Sequence, residues 1–178
     1  LLTMDYDEYD MIITSGSDNV DSGNILEAAD LIYEYVENGG IAAVSLCSQG
    51  LTGNFGGLSF EWFTSENTYI LDPDHPLVSG VPSPALGSSS SHTYFSSFSE
   101  DWIALTENEL GEVSSVYKDG LFVFGLTIEH AWVFYPDDLG PMIGNVIDWA
   151  MEMELQNDWL SFDLMSGTIP AGEFQEIL

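Results

Sequence analysis

The residue pattern predicts an α/β domain: a mainly parallel sheet with flanking helices and a C-terminal β hairpin. Three observations predict it. A strand, a helix and a second strand follow one another between Tyr9 and Leu46 with short connections. The second of these strands is a nearly continuous apolar run, as expected for a parallel strand covered on both faces. An Asp-Gly pair between two later apolar segments marks a hairpin turn.

Tyr9 to Thr14 (YDMIIT) reads as a short buried strand that runs into the polar turn Ser15-Gly16-Ser17-Asp18. From Ser22 to Asn38 the apolar residues Ile25, Leu26, Ala29, Ile32, Tyr33 and Val36 recur at helical spacing. Asp21 or Ser22 supplies the N-terminal cap and Gly39 sits where a left-handed C-terminal cap belongs. Ile41 to Leu46 is the second strand, and the unit it completes has a right-handed crossover.

Residues 48–68 are rich in Gly and Ser and read as a long loop, with one helical turn near Phe60 to Phe63. Tyr69 to Leu71 is a short strand before the turn Asp72-Pro73-Asp74-His75-Pro76, and residues 79–92, with their four consecutive serines, read as loop. Trp102 to Thr106, Val113 to Tyr117 and Leu121 to Ile128 are strands, the last two joined through Lys118-Asp119-Gly120. Pro141 to Met153 is a helix with Pro141 at its first position. Trp62, Phe63, Trp102, Trp132, Phe134 and Tyr135 are expected in the core. The expected division is a domain over residues 1–155, then a linker and the first strands of a β-sandwich over 156–178.

Charge excludes more than it assigns. The 178 residues carry 30 Asp plus Glu against one basic residue, Lys118, a formal net charge of −29. One lysine cannot neutralise phosphates, so no nucleic acid is expected as a partner. No apolar run is long enough to span a membrane, so no membrane insertion is expected. Phosphorylated substrates would have to rely on helix N-termini or a bound metal. The sequence opens on Leu1-Leu2 without Met, which reads as a piece of something longer. A surface this acidic suits an environment rich in salt or calcium.

Few residues are placed for chemistry. Cys47 directly follows a buried strand, where α/β folds collect ligands and nucleophiles. A nucleophile elbow needs small residues two before and two after; Ser45 meets this and Gln49 does not. The plain alternative is a small buried thiol filling a strand end. His130, preceded by Glu129, is the candidate general base, and His92 and His75 are weaker competitors. Asp5 to Glu8, Asp72 to Asp74 and Asp137-Asp138 are acidic clusters that calcium could use, with no EF-hand spacing. No metal site and no cofactor are assigned.

The segments YDMIIT, ADLIYEYVENGGIAAVSL, FTSENTYILDPDHPLVSGVP, SSHTYF, LFVFGLTIEHAW and NVIDWAM, in this order, resemble the class I glutamine amidotransferase-like domains of secreted multidomain bacterial proteins. The tail WLSFDLMSGTIPAG is similar to the opening of BACON-type immunoglobulin-like repeats. The resemblance implies a flavodoxin-like fold whose usual N-terminal strand-helix-strand unit is missing here, and an extracellular or cell-surface setting. It also implies a Cys–His pair at Cys47 and His130, with Trp132 where active members carry a Glu and Gln49 where their elbow carries a second Gly. Losing the orienting carboxylate of a triad costs about 10⁴-fold in rate.

These departures favour a non-catalytic structural or interaction module, whose partners are other domains of the same chain or surface proteins. The alternative is a Cys–His hydrolase or amidotransferase with the Ser48-Gln49-Gly50 backbone as oxyanion site. A second alternative is a carbohydrate or small-ligand module with a cleft between Gly50 to Gly57, Trp62 and Trp132. Self-repulsion among the acids gives one expectation by itself: the melting temperature should rise from low to molar salt. A flat profile would show the acids too dispersed to matter.

Overall fold

The structure, a computed structural model, describes residues 6–15 and 23–157. After a 3-10 turn at Tyr6–Glu8 come β1 (Met11–Ile13), α1 (Gly23–Glu27), α2 (Ala29–Glu37) and β2 (Ile41–Ser45). Strands β3 (Gly53–Phe55) and β4 (Leu58–Ile70) precede a second 3-10 turn at Pro76–Val78. Beyond it lie β5 (Ala85–Ser97), β6 (Ile103–Asn108), β7 (Val113–Lys118), β8 (Leu121–Phe124), α3 (Ile128–Phe134) and α4 (Pro141–Asn157).

Among the described residues eight strands form one sheet, in the order β1-β2-β8-β7-β6-β4-β3, with β5 also paired to β4. The core is parallel: Met11 to Ile13 pair with Ile41 to Ala43, and Ala42 to Ser45 pair with Leu121 to Phe124. Helices cover both of its faces, as the flavodoxin-like reading expects. From β8 outward every pairing is antiparallel, so the sheet is a parallel α/β core with a large antiparallel extension.

Alternation along the two central strands divides the interior into two layers. Ala42, Val44, Leu46, Leu121 and Val123 point toward α1 and α2, where they meet Ile25, Ala28 and Ile32. Ile41, Ala43, Phe122 and Phe124 point the other way, against Leu126 of the β8–α3 connection, Ile128 of α3, and Met142, Val146 and Trp149 of α4. All five residues of β2 are buried, which is why that stretch of sequence carries no polar alternation.

Turn residues behave as their chemistry dictates. Gly39 has φ +98 and closes α2, its N–H bonded to the Val36 carbonyl at 3.0 Å. Asp119 and Gly120 take φ of 43 and 88, the paired positive values of a type I′ hairpin turn. The helix expected over 22–38 is divided at Ala28 (φ −89, ψ 2), yet backbone hydrogen bonds run through that residue at both ends.

Two loop expectations are corrected. Residues 48–68 contain no helical turn; they hold the β3–β4 hairpin, reversed by Gly56 and Gly57 at φ +55 and +99. Most of residues 79–92 belongs to β5, so the serine run is strand. Register shifts around Ser65 interrupt the period of two in β4, and serines pair their backbone like any residue, so composition concealed both strands. The strand expected to Ile128 stops at Phe124, and Ile128 starts α3 instead. The expected β tail lies outside the described residues, as do Asp21 and Ser22.

The aromatic expectation also divides. Trp102 is buried, but Trp62, Trp132 and Phe134 are exposed, and Phe63 and Tyr135 are half-buried.

One close approach ties the extension to the core. A Cβ on Gly125 would lie 2.1 Å from the Thr93 carbonyl oxygen and 2.7 Å from its carbonyl carbon. Strand β5 therefore crosses directly over the residue that succeeds β8. Backbone on backbone leaves no rotamer to relieve a methyl group, so Gly125→Ala should cost about 3 kcal/mol or more. Its denaturant midpoint measures this; an unchanged midpoint would show that β5 yields freely.

Candidate thiol site at the carboxyl ends of the parallel strands

Cys47 stands two residues past β2, buried. Its placement comes from a short chain of hydrogen bonds among small polar residues. The Leu46 N–H bonds the Phe124 carbonyl at 2.8 Å, prolonging the β2–β8 ladder by one step. The Ser45 N–H donates to Thr14 Oγ1 at 2.8 Å, and the Cys47 N–H donates to Ser45 Oγ at 3.4 Å. From the other side Thr93 Oγ1 donates to the Leu46 carbonyl at 2.8 Å. Thr93 is fully buried, so β5 forms a cover over the strand end that holds the thiol.

The chain beyond Cys47 departs from an elbow. An elbow turns sharply from strand to helix, exposing the nucleophile and aiming helix N–H groups at the reacting atom. Here Ser48 to Leu51 close a single turn, the Leu51 N–H on the Ser48 carbonyl at 3.1 Å, with Gly50 at φ +74. Strand β3 comes next, in place of a helix. Among the described residues Asp119 is the one non-glycine with positive φ, so Cys47 carries no left-handed strain. The turn after Cys47 thus lacks the helix dipole that would stabilise an oxyanion.

His130 lies on α3, just beyond β8, so topology brings it to the same end of the sheet as Cys47. The surroundings of the two side chains differ, Cys47 being buried beneath β5. The imidazole is exposed and packs on Phe134, ring centres 4.5 Å apart, and more loosely on Tyr135 at 6.1 Å. No hydrogen bond joins it to Cys47 among the described residues. Glu129 is half-buried and turns its Oε2 out of solvent. Successive helix residues lie about 100° apart, so an inward Glu129 accompanies an outward His130. Trp132 is 56% exposed, and its side chain carries no hydrogen-bond acceptor for the imidazole.

The competing histidines differ in place, and His92 directly precedes Thr93, whose hydroxyl binds the Leu46 carbonyl. His92 falls on β5, its side chain outside the described part of the structure. His75 is a capping residue: its Nδ1 accepts from the Leu77 N–H at 3.3 Å and its ring packs on Tyr117 at 4.9 Å. Among the described residues no three His, Cys, Asp or Glu side chains converge as metal ligands would. Asp138 instead accepts the Leu86 N–H at 3.2 Å. Of the segments expected to frame a cleft, Gly53 to Phe55 are strand, the Trp62 backbone pairs with Thr93 on β5, and Trp62 and Trp132 are both exposed.

Sequence reasoning found Cys47 and its strand end but missed Thr14, Thr93 and Gly125, which hold it. Single Thr and Gly residues carry no periodic signal; only the pairing of distant strands reveals their role.

No family model matches this chain, and no curated protein matches it. A solved structure from Thermoplasma acidophilum, described as a GMP synthase subunit, superposes with a TM-score of 0.58. The two sequences are 13% identical, over 87% of this chain and 81% of that one. At that identity the likeness is one of fold: a mixed α/β fold with a flavodoxin-like core. No helix among the described residues is long and apolar enough to cross a membrane.

His75 gives the neighbourhood a pH dependence. Burial lowers its pKa below the ordinary 6.5, with the Asp72 charge opposing. The folded state therefore binds fewer protons than the unfolded state in this range. The stabilisation is present above the unfolded pKa and is lost as pH falls through the folded one. The melting temperature should decline as pH is lowered from about 7 to about 5. His75→Asn keeps a capping acceptor without the titration and should flatten that decline; an unaltered slope would remove His75 as its source.

Proposed function

We propose that this chain is an amidotransferase-like α/β module that keeps the scaffold without the thiol chemistry, and that it serves as a structural or interaction domain of an extracellular or cell-surface protein. The fold likeness supports the first half, the amidotransferase-like scaffold, alone, and taken by itself it fits the catalytic alternative better than a module without chemistry. One observation carries the second: Cys47 sits beneath β5 in an unstrained turn that leads to a hairpin, where an elbow would need strain, exposure and an ensuing helix. An outward His130 and a Trp at the carboxylate position agree with it. The acidic surface and the resemblance to secreted multidomain proteins support the setting.

A specific observation favours a second reading. Cys47 and His130 come after neighbouring parallel strands, and the fold is shared with a protein described as a GMP synthase subunit. On that reading the Cys47 thiolate would attack an amide or ester carbonyl while His130 first took the thiol proton and later returned it to the leaving group. It requires β5 to move off the thiol and α3 to rotate His130 inward. Catalytic hydrogen bonds often tighten only with substrate bound.

Alkylation of Cys47 against pH, native and unfolded, separates the two. The module reading expects native labelling at least 100-fold slower than unfolded, and no Cys47-dependent hydrolysis of glutamine or of a simple ester. Fast native labelling with a midpoint well below the ordinary thiol value of about 8.5, raised by His130→Ala, would establish the second reading.

A further inference from the structure

Asn38 and Gly39 form the chain's one Asn-Gly pair, and they stand at the end of α2. Asparagine before glycine is the pair most open to spontaneous ring closure. No side chain on the second residue hinders the approach, and glycine rotates freely. Hydroxide takes the proton of the second residue's N–H, and that nitrogen attacks the asparagine Cγ. The Cγ–Nδ2 bond breaks, and the departing nitrogen takes a proton from water and leaves as ammonia. Water then opens the cyclic imide at either carbonyl, giving aspartate or isoaspartate. Since α2 ends where β2 begins, this pair lies at the opposite end of the parallel strands from Cys47. Its chemistry is independent of whether the thiol reacts.

Both residues are exposed, so water and hydroxide reach them. The obstacle is the backbone. Asn38 has φ −83 and ψ 7. That ψ nearly eclipses the Gly39 nitrogen with Asn38's own nitrogen and sets it a third of a turn away from Cβ. Ring closure needs it beside Cβ. The Gly39 N–H is also engaged, donating to the Val36 carbonyl at 3.0 Å, and the Gly40 N–H donates to the Tyr35 carbonyl at 3.0 Å. Rotating Asn38 toward closure pulls both donors off their acceptors. Closure therefore requires the last turn of α2 to open first, and helix ends are where local opening is easiest.

The products do not rebuild this cap. Aspartate adds a negative charge four residues after Glu34, at the negative end of the helix dipole. Isoaspartate does more, because its main chain runs through Cβ and Cγ and gains one atom before the Gly39 nitrogen. The chain beyond has no slack to absorb that atom. A Cβ on Gly40 would lie 2.2 Å from the Tyr35 ring, and β2 starts at Ile41. The Tyr35 hydroxyl in turn donates to the Tyr9 carbonyl at 2.9 Å, just before β1. A longer link at residue 38 thus disturbs the corner where α2, β1 and β2 meet.

We propose that Asn38 is a deamidation site gated by the last turn of α2, converted only when that turn opens and unable to close it afterwards. The test holds the intact chain in mildly alkaline buffer, native and in guanidinium chloride, and follows the peptide containing Asn38 by mass spectrometry. The expected result is deamidation in both, at least tenfold slower in the native chain. Asn38→Gln should abolish it in that peptide, and the variant should fold, because the residue it replaces is exposed. Asp119-Gly120 isomerises without a change of mass and so adds nothing to the signal. The isoaspartate form, isolated by chromatography, should melt below the unmodified chain, with Asn38→Asp between the two. Equal native and unfolded rates would overturn the gate, and an Asn38 that stays intact in the unfolded chain would overturn the site. An isoaspartate form that melts with the unmodified chain would overturn the lasting loss of the cap.

Discussion

The crossing of β5 over the carboxyl ends of β2 and β8 is the constraint on which the rest of the arrangement depends. It is made of two contacts. Gly125 has no side chain, so the Thr93 backbone can lie where a Cβ would be, and the Thr93 hydroxyl binds the last carbonyl before Cys47. Without the first contact β5 could not approach; without the second the Leu46 carbonyl would lose its buried donor. Together they close the end of the sheet where folds of this class hold their ligands open to solvent. A strand laid across this end converts an open strand terminus into a packed interior.

That closure explains why the two ends of the core differ. At the carboxyl end the polar groups satisfy one another: Thr14 with Ser45, Ser45 with Cys47, Thr93 with Leu46. At the amino end an open volume remains: the hairpin turn and the end of α2 leave a cleft where the chain's lone lysine stands among three acids.

Parts of the site were legible in the residues. Cys47 follows a strand whose unbroken apolar run announces a doubly covered position, and the structure buries every residue of that strand. Asp119-Gly120 announces a type I′ turn, and both residues adopt its positive φ. His130 was legible as a residue near the end of β8 but not as one facing outward. Its direction depends on where β8 stops and α3 starts, and a shift of one residue on a helix turns a side chain by about 100°. That boundary is set by Gly125 beneath β5, a contact between segments some thirty residues apart.

The sequence by itself determined the parallel core, the closing helix, the hairpin, the acidity and the place of the cysteine. Each of these is carried by local periodicity, by turn chemistry or by composition, and so is readable in a short window. Only the tertiary structure decided that residues 53–55, 58–68 and 85–97 are strands, since bulges break their alternation and their serines and glycines imitate a loop. It alone decided that Cys47 is covered, that His130 faces away, and that Tyr33 and Lys118 share a cleft with Trp102. The physical reason is common to all three. A strand pairing, a crossing or a cleft is a relation between distant segments, and no single segment carries the energy that selects it.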